Sequence, residues 1–560
     1  MTEPELARAG TKWWGWNDPD RRAHLSDSAR ALLRQRIGDA QSSALVSLDQ
    51  VGMPEPAPLP AALSAAVGDG AVLTGREHRL RRAAGSSYPD LICLRTGRLD
   101  RAPDAVVLPG SEAQIAAVLE VCSREKVAVV PFGGGTSVVG GVDPVGGRFD
   151  RVIALDSWRL RMVAFDSRSL TARLGPGLRG PEAERELSSL GVTLGHFPQS
   201  FEYATIGGFA ATRSAGQASS GYGRFDEIVS SIRMVAPAGL LATLATPHSA
   251  AGPALRELIV GSEGALGVIT EVSARVRPAP AARRYEAFSC ADFESGCGVV
   301  RSLAQAGALP DVTRVSDRTE TSVSIDLAGT SGARRRLLDA YLGMRRRRRG
   351  CLAICGWEGT RADVERRRAV SRRLLRAGGA VPLGDAPGRA WERARFQGPY
   401  LRDELLDLGY LVETLETAHT WSRLAEHYRV VGEAITVALE AQGTPGIVMC
   451  HLSHAYRDGA SLYFTFISAS RPGDEIAQWR AVKTAACEAI VSTGGTITHH
   501  HAVGRDHAPY MPAEVGELGV EALRAVKERL DPAGVMNPGK LLESPAEGSI
   551  RPRRSPEPRP

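Results

Sequence analysis

From Ala105 onward the chain alternates short apolar runs with amphipathic stretches and small-residue turns. Ala105 to Leu108 has the continuous apolar character of a short buried strand. Ser111 to Glu125 (SEAQIAAVLEVCSRE) repeats its apolar residues at helical spacing and starts on a serine, a residue that caps helices. Val127 to Val130 is a second buried strand and leads directly into Pro131 to Val142, PFGGGTSVVGGV. Earlier, residues 27–50 read as a polar-faced helix, and residues 53–60 (MPEPAPLP) as a proline-rich linker. Later, a helix is expected to end near Gly307, and YLRD (Tyr400 to Asp403) opens a helical stretch. MCHLSHAYRDGASLYFTF (Met449 to Phe466) reads as two strands around Arg457-Asp458-Gly459.

The glycine loop changes the picture from fold to chemistry. Its five glycines leave backbone N–H groups free to converge on one concavity, where they can hold phosphate oxygens. A strand–helix–strand unit ending this way suggests nucleotide binding. It is not a dinucleotide fingerprint of the Rossmann kind, because the loop follows the second strand and no Gly-x-Gly-x-x-Gly opens a helix. Two further stretches share the small-residue character. Phe197 to Gly223 (FPQSFEYATIGGFAATRSAGQASSGYG) carries hydroxyls at Thr205, Thr212, Ser214 and Ser219 and one cation before its end, Arg213, and Gly207-Gly208 start a short helix. Ile259 to Val272 (IVGSEGALGVITEV) is a glycine turn running into a Val/Ile-rich strand. Taken singly, each also reads as a surface loop or a hairpin corner.

Composition narrows the class. With 560 residues, 43% hydrophobic and 24% charged, the chain has the make-up of a soluble protein of two or more domains. Its net charge of +6 permits anionic substrates or an anionic membrane surface without requiring either. The eight cysteines are scattered and form no zinc-knuckle spacing, which suggests free thiols in a reducing compartment. The start, MTEPELARAG, lacks a basic region followed by an apolar one, and no stretch is apolar enough to span a bilayer. A cytoplasmic protein is expected, with peripheral membrane contact compatible. Residues 549–560 (SIRPRRSPEPRP) read as a disordered tail. KWWGWN (Lys12 to Asn17) reads as an anchor packing the N-terminal arm onto a later domain, with ligand stacking as the alternative. MRRRRRG (Met344 to Gly350) reads as a solvated face, with anionic lipid contact as the alternative. Its arginines lack interleaved aromatics, which argues against nucleic acid.

These motifs, in this order, resemble the vanillyl-alcohol-oxidase, or PCMH-type, family of FAD-binding flavoproteins over roughly residues 90–545. PFGGGTS looks like that family's pyrophosphate loop and implies cofactor contacts from Pro131, Phe132, Gly133, Gly134, Gly135, Thr136 and Ser137. PQSFEYATIGGFAATRSAG looks like its flavin-side segment, which implies Gln199, Ser200, Phe201, Glu202, Tyr203, Ala204 and Thr205. The same segment continues through Gly208, Thr212, Arg213, Ser214 and Ala215. GSEGALGVITEV looks like its closing turn, which implies Glu263, Gly264, Ala265, Leu266, Gly267, Val268 and Ile269. NPGKLL (Asn537 to Leu542) looks like its C-terminal signature. The fold implied is α+β: a PCMH-type two-subdomain FAD-binding domain with an inserted α/β cap domain and a helical N-terminal arm. The boundaries expected are 1–100 for the arm, 101–280 for the FAD domain and 281–490 for the cap. A segment 491–545 brings the His triplet back to the flavin, and 546–560 is the tail. The glycine loop carries no histidine, and His196 stands at a non-covalent place in the pattern, so dissociable FAD is expected.

Within that family, KWWGWN, TRVSD, YLRD, ETLETAHTW, SLYFTF and THHHAVG together resemble the alkyldihydroxyacetonephosphate (alkylglycerone-phosphate) synthase branch. That resemblance implies a transferase that exchanges the acyl group of acyl-dihydroxyacetone phosphate for a long-chain fatty alcohol in ether lipid biosynthesis. It implies a flavin N5 adduct without net redox change and no metal. It also implies roles for matching positions: Tyr463 as proton donor and acceptor, Arg402 as substrate ligand, Arg314 as an essential cation, and His499, His500 and His501 beside the reacting centre. Guanidinium groups suit a phosphate-bearing ketone, and histidine suits proton transfer near neutrality. A tyrosine base would need nearby positive charge, which three imidazoles beside Arg505 could provide. Gln199 stands where the branch usually has Asp, Ala502 where it has Gly, and Arg505 where it has Lys. His451, His454 and the triplet, placed here on a strand, also invite a metal reading. The runner-up is an FAD-dependent 2-hydroxy-acid or alcohol dehydrogenase or oxidase. Members of that kind carry Gly-His-x-x-Asp-Gly-Asn-x-His, and here Tyr463 stands in place of the last histidine. A third reading is a flavin-binding protein without catalysis. A homodimer is expected.

Overall fold

In the computed structural model, residues 12–543 are described apart from 17, 19, 22, 24, 43–44, 328–335, 337–339 and 348. The starting decapeptide, the proline-arginine tail and Arg348 of the arginine run therefore lie outside the described residues.

Three sheets organise the molecule. The first contains β1 (Val72–Leu73), β2 (Ala105–Val107), β3 (Val127–Phe132) and β4 (Arg151–Asp156) in the order β1-β2-β4-β3. β2, β4 and β3 run parallel. The helix Glu112–Glu125 connects β2 to β3, capped where Ser111 Oγ accepts from Gln114 N. Its face of Ile115, Val118, Leu119 and Cys122 packs into the same core as β2 and β3. The second sheet is antiparallel and holds β5 (Val163–Asp166) and β6 (Thr171–Leu174). A two-residue strand β7 (Val192–Thr193) follows outside it, and β8 (Val229–Ala236), β9 (Gly239–Ala242) and β10 (Val268–Arg275) complete it in the order β5-β6-β10-β8-β9. β11 (Arg277–Pro278) pairs with β7.

The third sheet has seven antiparallel strands. They are β12 (Ala282–Cys290), β13 (Val312–Ser316), β14 (Cys351–Gly359), β15 (Val381–Gly384), β16 (Tyr410–Thr420), β17 (Ile447–Ala455) and β18 (Gly459–Ala469), in the order β15-β12-β14-β13-β17-β18-β16. Period-two alternation gives this sheet two different faces. Cys351, Ala353 and Trp357, Leu411 and Leu415, Cys450 and Leu452, and Leu462, Phe464 and Phe466 point one way. They meet residues of the helices Phe293–Gln305, Arg361–Ala377, Leu424–Ala441 and Glu475–Ser492. Each fully buried Leu or Phe there contributes ~1.5–3 kcal/mol of transfer free energy. The residues between them, from Arg314 to Thr465, face a cavity.

The N-terminal arm covers part of that cavity face. The expected helix over 27–50 is shorter than its pattern: it runs Asp27–Ile37, because Gly38 at φ +95° ends it, and a single turn reappears at Leu48–Gln50. Leu25, Ala29, Leu33 and Ile37 bury against Leu405, Val412, Ile447, Met449 and Ile467. Before this helix, Trp16 stands edge-on to Tyr203 at 5.3 Å, and its backbone N–H donates to Asp403 at 2.7 Å. Lys12 reaches the same carboxylate at 3.3 Å. The tryptophan-rich stretch thus ties the arm to both the cofactor-loop region and the cap helix Gly398–Asp407.

Candidate active site

One cavity of about 1790 Å³ runs between the two smaller sheets and the seven-stranded one. This exceeds the usual ~300–1,000 Å³ of small-molecule pockets. Its floor is the glycine loop, and every residue from Pro131 to Ser137 lines it. The loop is tight: a Cβ on Gly134 would lie 2.0 Å from the Tyr203 carbonyl oxygen, and one on Gly133 would lie 2.5 Å from Thr205 Oγ1. Glycine is required there so that the first and second small-residue stretches can touch. Thr205 caps the short helix Ile206–Ala211 by accepting from Gly208 N at 3.2 Å. Asn537 Nδ2 donates to the carbonyls of Gly141 (3.1 Å) and Glu263 (2.6 Å), so one side chain of the C-terminal signature joins the glycine loop to the closing turn. The Glu263 carboxylate accepts from Val503 N and Gly504 N, both at 2.8 Å, and burial pushes it up to about 7.

The expected cofactor residues divide into two groups. Gln199, Ser200, Ala204, Thr205, Gly208, Thr212, Ser214 and Ala215 line the cavity, as do Glu263, Gly264, Gly267, Val268 and Ile269. Phe201, Glu202, Tyr203, Arg213, Ala265 and Leu266 do not. Phe201 stacks on Phe396, and Glu202 pairs with Arg21 and Tyr400. Arg213, at φ +50°, turns outward to Glu257. Ala265 and Leu266 are buried in the hydrophobic cores. His196 is also off the cavity; it sits within 3.0 Å of Ser214 Oγ, between Phe209 and Phe225. The site fits a long polar cofactor on two counts. The glycine loop and the helix Ile206–Ala211 both open onto it, and two buried polar atoms of its lining residues, Gln217 Oε1 and His501 Nδ1, have no partner among the described residues.

Opposite the floor, adjacent strands align the reactive groups. Glu416 on β16, Tyr463 on β18 and His451 on β17 are direct cross-strand partners, so their side chains share one face. The rings of His451 and Tyr463 stack at 4.8 Å. Arg314 Nη2 donates to His451 Nδ1 at 3.0 Å and pairs with Glu320. Burial raises Glu320, but Arg314 and His451 outweigh it and hold it at about 2. Arg402, from the helix Gly398–Asp407, gives an N–H to the Ser86 carbonyl and has no carboxylate at salt-bridge distance among the described residues. Arg314, Arg402, Tyr463, His500 and His501 all line the cavity, whereas His499 lies behind them.

The triplet forms a turn rather than a strand, closed by Ala502 at φ +75°. A left-handed residue there favours glycine, so Ala502 holds the turn at some backbone strain. Tyr463 lies 6.2 Å from His500 and 5.4 Å from His501 between ring centroids. His499 Nδ1 and His500 Nδ1 are 3.0 Å apart, and Tyr456 Oη is 2.7 Å from His499 Nε2. Burial pushes all three imidazoles below their ordinary value, His499 to about 3. That direction favours the neutral rings, which makes the triplet a weaker source of positive charge beside Tyr463 than the sequence suggests. Arg505 is engaged with Asp143 at 3.0 Å. Burial pushes Tyr463 up to about 12, with Thr414 and Arg402 opposing. The phenol therefore keeps its proton at neutral pH. The alignment of Glu416 and His451 with Tyr463 escaped sequence reasoning; the alternation of β16, β17 and β18 was the signal that could have found it. His454, His499 and His500 bring ring nitrogens within 4.8 Å of one another.

Comparison with known proteins agrees with this layout. Residues 103–245 match the FAD binding domain model, and residues 279–541 match the model for FAD linked oxidases, C-terminal domain. The chain is 34% identical over 473 residues to an alkyldihydroxyacetonephosphate synthase of Dictyostelium discoideum, covering 83% of this chain and 77% of the relative. A solved alkyldihydroxyacetonephosphate synthase superposes with a TM-score of 0.82 at 28% identity, over 95% of this chain and 99% of that one. Substrate-bound p-cresol methylhydroxylase shares the fold, at a TM-score of 0.64 and 14% identity.

Proposed function

The chain belongs to the alkyldihydroxyacetonephosphate synthase family of FAD-dependent enzymes, and from that premise we propose that it exchanges the acyl group of acyl-dihydroxyacetone phosphate for a long-chain alcohol. The observation that carries this reading is the make-up of the cavity above the glycine loop. It joins the glycine-loop floor to two guanidinium groups, to Tyr463 and the imidazoles, and to an apolar limb of Leu25, Ala29, Leu33, Val412, Ile447, Met449 and Ile467. A phosphate, a ketone and an alkyl chain each find a matching wall.

When bound, the flavin supplies an electron-accepting ring that lets the exchange proceed without net redox change. Pro131 to Ser137, Thr205, Gly208 and Glu263 would hold it. Arg402, which has no carboxylate at salt-bridge distance among the described residues, is the first phosphate ligand, and Arg314 acts from the same cavity with its fork oriented by Glu320. Neutral His500 takes the proton from the carbon next to the ketone. Its Nδ1 is engaged with His499, which leaves Nε2 for the substrate. Tyr463 Oη gives a proton to the departing carboxylate as the carbon–oxygen bond breaks with its electron pair. The alcohol oxygen then bonds to that carbon as its proton passes to Tyr463 Oη, and the proton on His500 returns to the carbon.

The test is incubation of the holoenzyme with acyl-dihydroxyacetone phosphate and a long-chain alcohol. Release of one fatty acid per ether formed is expected. Flavin bleaching by a 2-hydroxy acid, with no fatty acid released, would instead establish the dehydrogenase reading.

Peripheral membrane contact belongs to the same proposal. No helix among the described residues is long and apolar enough to cross a membrane. Met344 is 78% exposed beside exposed Arg345 and Arg346, and Arg349 reaches the cavity edge. An exposed methionine followed by exposed arginines suits an anionic headgroup layer.

A further inference from the structure

The mechanism above uses the imidazoles but leaves unexplained why three consecutive histidines hold one arrangement without a strand or helix to fix them. The explanation lies beneath them. Glu416 is 2% exposed, and its carboxylate is wrapped by the loop that precedes and includes the triplet. Oε1 accepts from Thr498 Oγ1 at 2.8 Å and from the backbone N–H groups of His500 and His501, each at 2.7 Å. His499 N donates to both oxygens, at 2.9 and 2.7 Å. Oε2 also lies 3.4 Å from His500 Nδ1 and 3.8 Å from His499 Nδ1. Successive backbone N–H groups turned onto one oxygen make an anion-holding concavity, here filled from within by the protein itself.

We propose that Glu416 is a positioning residue of the site: a buried anionic anchor that folds residues 498–501 around itself and serves as counter-charge when His500 or His501 takes up a substrate proton. It needs no contact with substrate. Its register opposite Tyr463 fixes the distance between the proton donor and the imidazoles, because β18 carries Tyr463 and Glu416 on β16 holds the loop that carries the rings. An isosteric amide would keep the shape, but it would turn N–H toward N–H at one of the two oxygens and remove the charge.

The electrostatic setting defines the sign of the effect. His499, His500 and His501 face Glu416 from the loop, Tyr463 from β18, Lys483 from the helix Glu475–Ser492, and His507 from beyond the turn. His454 from β17 and Arg224 bear on the triplet, and Arg402 and Glu413 bear on Tyr463. Glu416 is the carboxylate that favours the protonated imidazole, whereas Lys483 and Arg224 oppose it. Removing the carboxylate charge leaves the two cations unopposed, and proton uptake by the triplet then moves to lower pH.

The experiment compares the holoenzyme with Glu416→Gln, and its kinetic arm rests on the exchange reading. A fall in kcat on the order of ten- to a hundredfold, with little change in KM, is expected for loss of an orienting partner. The limb of the pH profile that belongs to the imidazoles should shift to lower pH. The second arm needs no substrate: ring titration of the triplet by NMR of histidine-labelled protein, assigned with His500→Gln, should shift the same way. If the wild type catalyses no exchange, the function reading fails and the ring titration still decides this one. An unchanged titration together with an unchanged kcat would overturn the proposal; so would a fall in melting temperature alone. Should the Gln variant lose its flavin, Glu416→Asp replaces it: a titration like the wild type with lowered kcat is expected, and a titration moved down overturns the assignment.

Discussion

Tyr463 stands directly opposite His451 across β17 and β18, with the two rings stacked at 4.8 Å and an angle of 19° between their planes. The stack packs the phenol against His451 while Thr414 and Arg402 bear on its hydroxyl. Removing only that hydroxyl keeps the stack. Tyr463→Phe is therefore expected to retain flavin and melting temperature but to lose about 10²–10⁴-fold in exchange rate, the range for general acid–base catalysis. Single-turnover release of fatty acid measures it, and a variant within twofold of the wild type rules out the acid role.

Glu263 gives a pH signature on stability. Burial raises its folded-state value to about 7, whereas an unfolded glutamate titrates near its ordinary value. Between ~4.5 and 7 the folded state keeps a proton that the unfolded state has lost, so stability falls as pH rises through that window. The span corresponds to roughly 3 kcal/mol at most. Glu263→Gln should flatten this part of the stability curve relative to the wild type in denaturant titrations at fixed pH. Curves that stay parallel across the window contradict the assignment.

On the exchange reading, the apolar limb is expected to set a length limit on the alcohol's tail. Leu33 projects from the N-terminal arm against Val412, Met449 and Ile467. Leu33→Trp should fill the limb, and kcat/KM for a long-chain alcohol should drop ~10–200-fold, the range for pocket discrimination of a few methylenes. A short-chain alcohol should react as before. An equal loss on both would place the alkyl chain elsewhere.

Arg345, Arg346 and Arg349 are expected to hold the protein on anionic vesicles. At ~1 kcal/mol per basic residue near a charged surface, replacing all three by glutamine should weaken binding by about a hundredfold. Co-flotation with phosphatidylserine vesicles, repeated at high salt, checks both the residues and the electrostatic origin. Binding that survives both changes assigns the contact to another surface.

Much of the architecture could be read from residue order because local signals and tertiary demands agreed. Ser111 caps the helix its sequence announces, Val127 to Val130 is buried on both faces, and the glycines at 133 and 134 are needed where two loops approach. The site was legible only in part, for a physical reason. Motif membership marks a segment, but whether a residue within it faces the cavity depends on neighbours far along the chain. Arg213 turns away because its backbone is left-handed, and Glu202 is claimed by Arg21 from the arm. Nothing near His499 in the sequence announces that Glu416 will gather its backbone, because that relationship exists only once β16 and the returning loop meet. The imidazoles' charge was hidden for the same reason: burial, which composition does not show, outweighs the pull of Glu416 toward the protonated form.

The pairing of Val129 with Met536 sets an order on how the molecule is made. Val129 N donates to Val535 O and Asn537 N donates back to Val129 O, so the strand that launches the glycine loop finds an edge partner some four hundred residues downstream. A nascent chain emerging from the ribosome must carry that edge bare until Met536 and Asn537 have been made. Flavin capture then becomes a late event in biogenesis, and nonsense products ending before Asn537 should accumulate as apoprotein prone to aggregation.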